Sequence, residues 1–368
     1  MPTLPKMHPV WVDAENTRVY GMGHDEERSI WFTGSLAKLH RYWPKAGKME
    51  TIPICGNHGG SQCICAGGKV YVLPQLHPKI TVYDVAAGRV SLLDKPFPEA
   101  NIWWGTKDAR GELLYLQDRS RPCLAVWDVA EDRCEVFSYP AAGTLPSIRK
   151  TDWPERLHAC WVAGDPGYRV YFDPEVRRFV AEDREAIPPV RPGTEGEAER
   201  YIVNYRAPGS THPDIEGARL IRIDRQTGER YERDVPGWDR VFGFVGGGVF
   251  WRGWQLNCLS TYARGYQYDE RTGKYNQVKE NPDIGVDGLP YHFMNRFIAY
   301  HPESDTFDFL VPDAPEDRYP QLCYNHVMDE ELYITANDIF SKEKGRPLGA
   351  VERPVGQLMV LQSHDTKA

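Results

Sequence analysis

One short phrase recurs along this chain and constrains its fold more than any other feature. Its clearest copies are Ile80-Thr81-Val82-Tyr83-Asp84 leading to Gly88-Arg89-Val90, and Leu124-Ala125-Val126-Trp127-Asp128 leading to Cys134-Glu135-Val136-Phe137. Each reads as an apolar strand with an outward aromatic, an Asp that opens a tight turn, and a returning strand. Weaker copies are Leu39-His40-Arg41-Tyr42 before Gly47, Tyr171-Phe172-Asp173 before Arg178, and Ile221-Arg222-Ile223-Asp224 before Gly228. Tyr266-Gln267-Tyr268-Asp269 before Gly273, and Ala299-Tyr300-His301 before Thr306, complete the set. Most steps between equivalent turn residues are roughly 41–51 residues, the period of four-stranded propeller blades.

The remaining two strands of each blade lie between these hairpins. Gln62-Cys63-Ile64-Cys65 runs through Gly67-Gly68 into Lys69-Val70-Tyr71-Val72-Leu73. Val241-Phe242-Gly243-Phe244 runs through Gly246-Gly247-Gly248 into Val249-Phe250-Trp251. Both pairs read as hairpins closed by their glycines. Leu322-Cys323-Tyr324, Leu332-Tyr333-Ile334 and Leu358-Met359-Val360-Leu361 form a last blade that lacks its outermost strand, and Val10-Trp11-Val12-Asp13 supplies it. The expectation is an all-β chain, a seven-bladed β-propeller whose ring is closed by the N-terminal strand; eight blades is the alternative. The step from Asp269 to His301 is too short for a full blade, so residues 257–293 read as a long insertion in blade 6. The repeat continues across every irregular stretch, and 1–368 is read as a single domain.

A net charge of −8 and the lack of any Lys/Arg-rich run argue against nucleic acid. No stretch is long and apolar enough to span a bilayer, and no membrane is expected as partner. The first residues lack an apolar signal core, so the reading is cytoplasmic. The eight cysteines are scattered in apolar strand text and read as free thiols. Cys63 and Cys65 have the wrong spacing for a zinc knuckle, and alternation puts both on one face as packing. There is no P-loop, no Gly-x-Gly-x-x-Gly after a strand and no Gly-x-Ser-x-Gly elbow, so no nucleotide cofactor is expected. Asp84, Asp128, Asp173, Asp224 and Asp269 repeat at the turn and read as structural.

Function in such a fold is expected where the innermost strands converge, with one or two polar residues from each blade. Asn57-His58 precedes the inner strand of blade 2, Asn325-His326 falls near that of blade 7, and His158 lies in that of blade 4. His58, His158 and His326 are candidates for a general base or for the ligands of one divalent cation, Mg, Mn or Ca. The plain alternative is a hydrogen-bonded histidine in a polar channel. Tyr205 and Arg206, just before a Pro-Gly loop, offer a proton carrier beside a carboxylate clamp. Trp103, Trp104 and Lys107 mark the inner strand of blade 3, where an indole suits a sugar ring. Trp251 and Trp254 with Asn257, Tyr291 and His292 read as a rim or lid, and Asn325 as a further ligand contact.

One blade resembles a known family. Ile30-Trp31-Phe32-Thr33-Gly34, then Ala37-Lys38-Leu39-His40-Arg41-Tyr42, then Gly47-Lys48-Met49-Glu50-Thr51-Ile52-Pro53, is similar to the repeat of virginiamycin B lyase-like propellers. The other blades depart from that repeat, and the family's magnesium-binding and catalytic residues find no counterpart on this chain. A looser analogy, without shared motifs, is to oligogalacturonate lyase-type propellers. The resemblance implies a lyase that performs β-elimination on a carboxylate-bearing sugar or a lactone-type natural product, with a small-molecule or oligosaccharide ligand. The alternatives are a non-catalytic propeller that binds a protein or glycan, and a biosynthetic cyclase that uses the funnel to shape its substrate.

Overall fold

The computed structural model describes residues 4, 7–12, 19–34, 37–54, 60–74, 79–94, 102–108, 110–118, 123–138, 147–149, 160–163, 168–183, 200–206, 219–224, 226–234, 241–244, 249–261, 266–269, 274–277, 294–309, 318–329, 331–341 and 356–361. Among these residues the fold is all-β, with a short 3-10 turn at Pro44–Ala46. Chain contacts separate it into two compact units, Thr17–Arg191 and Met1–Asn16 with Pro192–Ala368. The N-terminal strand β1 (Met7–Val12) belongs to the second of these.

The Thr17–Arg191 unit contains four antiparallel four-stranded sheets, each built from consecutive strands. The first is β2 (Val19–His24), β3 (Ile30–Gly34), β4 (Lys38–Trp43) and β5 (Lys48–Pro53). The second is β6 (Gly60–Ala66), β7 (Lys69–Pro74), β8 (Lys79–Asp84) and β9 (Arg89–Asp94). The third is β10 (Ile102–Lys107), β11 (Leu113–Asp118), β12 (Cys123–Asp128) and β13 (Arg133–Ser138). The fourth is β14 (Ser147–Arg149), β15 (Cys160–Ala163), β16 (Tyr168–Asp173) and β17 (Arg178–Asp183).

Both faces of the second sheet are buried, which explains its near-continuous apolar text. Cys63, Cys65, Val70 and Val72 pack with Trp31 and Leu39 of the first sheet. The alternate residues Ile64, Ala66, Tyr71 and Leu73 pack with Leu114, Leu116 and Trp127 of the third. The aromatics before Asp84, Asp128 and Asp173 therefore pack against a neighbouring sheet and are not outward, as alternation alone suggested. Trp127 is 6% exposed and Phe172 1%. Each meets an aromatic of the preceding sheet: Trp31 with Tyr83, Tyr71 with Trp127, and Tyr115 with Phe172, at centroid distances of 5.6, 6.5 and 6.4 Å.

The turns follow from their chemistry. Gly67 and Gly68, at φ +56° and +69°, make the two-residue link between β6 and β7. Asp84 Oδ1 accepts the Ala87 N–H, Asp128 Oδ1 those of Ala130 and Glu131, and Asp173 Oδ1 those of Glu175 and Val176. These carboxylates cap the outer hairpins, the structural role their repetition suggested.

The other unit continues with β18 (Tyr201–Arg206), β19 (Arg219–Asp224) and β20 (Arg230–Asp234), a three-stranded sheet. Next come β21 (Val241–Phe244), β22 (Val249–Trp251) and β23 (Trp254–Thr261). Here the structure differs from the expected hairpin: β21 and β22 do not pair with each other, and both pair with β23. Arg252 and Gly253, at φ +48° and +80°, supply the two-residue turn that the glycine tract was expected to make. A separate hairpin, β24 (Tyr266–Asp269) with β25 (Lys274–Gln277), precedes β26 (Met294–His301) and β27 (Thr306–Phe309). β26 pairs with β23 from Gln255 to Thr261. Finally β28 (Arg318–Met328), β29 (Glu331–Ser341) and β30 (Gly356–Leu361) form a sheet whose outermost strand is β1. Trp11 opposes Leu358 and Met7 opposes Leu361, the pairing foreseen for the N-terminal segment.

Candidate functional site

In the Thr17–Arg191 unit, the first strands of successive sheets lie against one another and are tied by side chains. A Cβ added at Gly21 of β2 would come within 2.9 Å of Gln62 Cα on β6, so the two strands approach too closely for any larger residue. Cys63 Sγ lies 3.2 Å from Gly21 O and 3.0 Å from Trp31 O. Gln62 Oε1 accepts the Gly105 N–H of β10 at 3.0 Å. Lys107 Nζ returns across the same seam and donates to Cys65 O at 2.6 Å.

Each of these strands also carries a register shift toward its leading end, between Val19 and Met22 in β2, Gly60 and Gln62 in β6, and Ile102 and Trp104 in β10. A bulge adds a residue to one strand and re-aims the side chains beside it, and bulges gather next to functional sites. Its recurrence at the same end of three neighbouring strands marks that end of the seam.

The seam's charges are uneven. Lys107 is half-buried, and among the described residues no carboxylate pairs with it. One of its three N–H donors is spent on Cys65 O. Burial pushes the thiols of Cys63 and Cys65 up, so they act as small apolar fillers, and both are free.

A second polar cluster stands at the β2–β3 turn. Asp25 Oδ2 accepts from Ser29 Oγ (2.6 Å), Trp31 Nε1 (2.7 Å) and Arg41 Nη2 (2.9 Å), and Asp25 Oδ1 from the Ser29 N–H. Arg41 lies 4.8 Å from the Trp31 ring centroid and 4.4 Å from that of Trp43, and also reaches Glu27. Burial alone would raise the Asp25 carboxyl, but the bonds from Ser29 and Trp31 with the Arg41 charge outweigh it and hold it below the usual range. In the other unit Asp305 is bound by Tyr300, Tyr231 and Arg233. Burial opposes that carboxyl's ionisation too, and these donors again overcome it. Both carboxylate oxygens of Asp25 and of Asp305 have donors, which is the arrangement of a structural clamp.

Of the residues singled out in the sequence, His58, His158, Tyr291 and His292 lie outside the described residues. Trp103 and Trp104 fall on β10, at its bulge. Tyr205 and Arg206 end β18 opposite Leu220 and Arg219. Asn257 sits on β23 opposite Ile298, and Asn325 on β28 opposite Ile334. The side chains of these six also lie outside the described set. His326, 5% exposed, opposes Tyr333 on β29. Two residues along on that strand, and so on the same face, Thr335 Oγ1 is buried with no hydrogen-bond partner among the described residues. Trp254, 4% exposed, stands edge-on to His301 at 5.2 Å and belongs to the core with Trp251, not to a rim. Lys107 is both foreseen and placed on an innermost strand with its contact to Cys65 O described. In the sequence Gln62 marks no more than the start of a strand. The signal beside it is glycine on the two neighbouring strands: Gly21 leaves room for the backbone and stem of Gln62, and Gly105 lets β10 pack close against Leu73 and Leu116.

No family model matches the sequence, and no curated protein matches it in sequence. Among solved structures, the chain is similar to a catalytically inactive variant of virginiamycin B lyase from Staphylococcus aureus with quinupristin. The TM-score is 0.53 at 12% identity, over 96% of this chain and 98% of that one. It is also similar to hydrazine synthase from Kuenenia stuttgartiensis, with a TM-score of 0.51 at 13% identity over 78% of each chain. These likenesses show the fold, a propeller-type arrangement of antiparallel sheets.

Proposed function

We propose that this chain is a seven-bladed propeller lyase that performs β-elimination on a carboxylate-bearing sugar or a lactone-type natural product. Among the described residues seven sheets have three or more strands, and β1 on β30 supplies the outer strand of the last blade in this reading. The observation that carries the reaction is Lys107: a half-buried ammonium on an innermost strand, fixed on Cys65 O, with donors left over and no carboxylate partner among the described residues. Elimination beside a carboxylate or ester builds negative charge on that group in the transition state. A fixed cation stabilises it most where water is scarce. The resemblance to a lyase over nearly the whole of both chains supports the choice of chemistry.

In the reaction a base takes the proton from the carbon beside the carboxyl group. A C=C bond forms as the C–O bond at the next carbon breaks, and the departing oxygen leaves with a proton. No oxidant is consumed. His58, His158, His326 and Tyr205 are the candidate bases, Arg206 and Lys107 the charge stabilisers, and Trp103 and Trp104 the ring platform. A divalent cation bound to the three histidines would stabilise the same charge. Elemental analysis of purified protein, alone and with each histidine replaced by Ala, decides whether one is there.

The test offers polygalacturonate and quinupristin to the protein and follows the ultraviolet absorbance of the new conjugated double bond. Turnover is expected with one of them, and Lys107→Met should lower kcat by roughly 100-fold or more with little change in KM. Absence of the double bond with both would remove the lyase reading in favour of a binding propeller.

A further inference from the structure

Gln62 stands apart from the other polar residues of the inner strands because its amide is half committed. Its oxygen accepts the Gly105 N–H of the neighbouring sheet. A backbone N–H only donates, so this bond fixes which end of the amide is oxygen. The two hydrogens of Nε2 then point away from Gly105, and no described residue accepts them. The side chain is half-buried on the bulged end of β6, between Gly21 of β2 and Gly105 of β10. It therefore touches three inner strands, and its rotamer is set before any ligand arrives.

We infer that Gln62 is a substrate-positioning donor, whose fixed amide N–H groups bind a carboxylate oxygen of the ligand at the bulged ends of β2, β6 and β10. The role rests on the proposed lyase reading for its substrate class. It is a different task from that of Lys107, which closes the trailing end of β10 two residues beyond Gly105. Gln62 would hold the ligand in the ground state and the transition state alike, whereas Lys107 answers the charge that develops. A donor whose conformation is already fixed loses little entropy on binding.

Gln62→Glu isolates the role. It keeps size and an oxygen for the Gly105 N–H, but it replaces the donor with a charge that repels a carboxylate. Calorimetric titration with D-galacturonate, and with D-galactose as the neutral control, reads the effect. The expected result is binding of galacturonate by the native chain, weakened about 10-fold or more in Gln62→Glu, at an unchanged melting temperature. Gln62→Met should instead lower the melting temperature, because the Gly105 N–H loses its acceptor. Equal galacturonate binding by the native chain and Gln62→Glu overturns the inference, as does a native chain that binds galactose equally well or binds neither sugar. Turnover of polygalacturonate or quinupristin unaffected by Gln62→Glu would leave the lyase standing and the Gln62 role refuted. Gln62-dependent galacturonate binding with no turnover would do the reverse.

Discussion

Replacing Asp25 by Asn keeps the shape of the side chain and removes its charge, which makes it a sharp test of how the first sheet is held. Three donors converge on Asp25 Oδ2 and one on Oδ1. If the Asn oxygen takes the Oδ2 place, three bonds survive to a neutral acceptor, weaker by about 2 kcal/mol in all. The Asn amide then faces the Ser29 N–H, donor against donor, and leaves a buried N–H unmatched at a further cost of about 1–3 kcal/mol. Arg41 is not stranded, since it keeps its native contact with Glu27 at 2.7 Å. A net cost of about 3 kcal/mol follows, at the low end for breaking a buried pair. In a unit of this size that is a fall of about 9 °C in melting temperature.

The pH dependence separates this account from a simple packing defect. The Asp25 carboxyl is held below its ordinary value of 3.8 in the folded chain. Its contribution is therefore complete above that value and is lost as pH falls through the lower, folded one. Calorimetric scans of the native chain and Asp25→Asn should differ by a constant amount at neutral and mildly acid pH. The gap should narrow below about pH 4, where protonation makes the native chain resemble the variant. Glu27→Gln, at an exposed carboxylate, should cost under about 1 kcal/mol. A fall of less than about 2 °C for Asp25→Asn, or a gap that persists unchanged in acid, would refute the reasoning.

Gly105→Ala should cost about 2 kcal/mol in urea unfolding, because its Cβ would stand 2.9 Å from Leu116 Cδ2, Leu73 Cδ1 and Tyr115 O. Gly47→Ala, with nothing within 4 Å and only a φ of +58° to oppose it, should cost about 1 kcal/mol. Thr335→Val removes a buried hydroxyl with no partner among the described residues and should raise stability by about 1 kcal/mol in the same assay. A loss there would mean that a buried water holds the hydroxyl.

The outer hairpins were legible because their chemistry is local. An Asp that binds the N–H groups two or three residues on leaves its mark in the sequence, and Asp84, Asp128, Asp173 and Asp224 all do this. Even His301, where the Asp is replaced, keeps the role, since its Nδ1 accepts the Ser304 N–H. The faces were harder to read. Alternation says that Tyr83 and Trp127 share the face opposite their neighbours, yet it cannot say that another sheet covers that face. The hairpin at Arg252-Gly253 was missed for a related reason: Arg in the left-handed region carries no sequence flag, while three successive glycines do.

The inner seam was the least legible part, and the reason is physical. A bulge depends on the count of residues in two paired strands, so neither strand shows it alone. Gln62 looks ordinary in Gly60-Ser61-Gln62-Cys63, and its importance comes from Gly105, whose backbone lies 43 positions away. Lys107 stands out in the sequence by its charge, but its fixed position depends on a carbonyl 42 residues back. Glycine at Gly21 and Gly105 is the one local trace of this arrangement. A side chain at either place would force the strands apart, and with them the donor pair at Gln62 and Lys107 would lose its spacing. The same close packing that stabilises the seam therefore sets the geometry on which the proposed chemistry depends. A Gly105→Ala chain that stays folded should lose galacturonate binding along with stability.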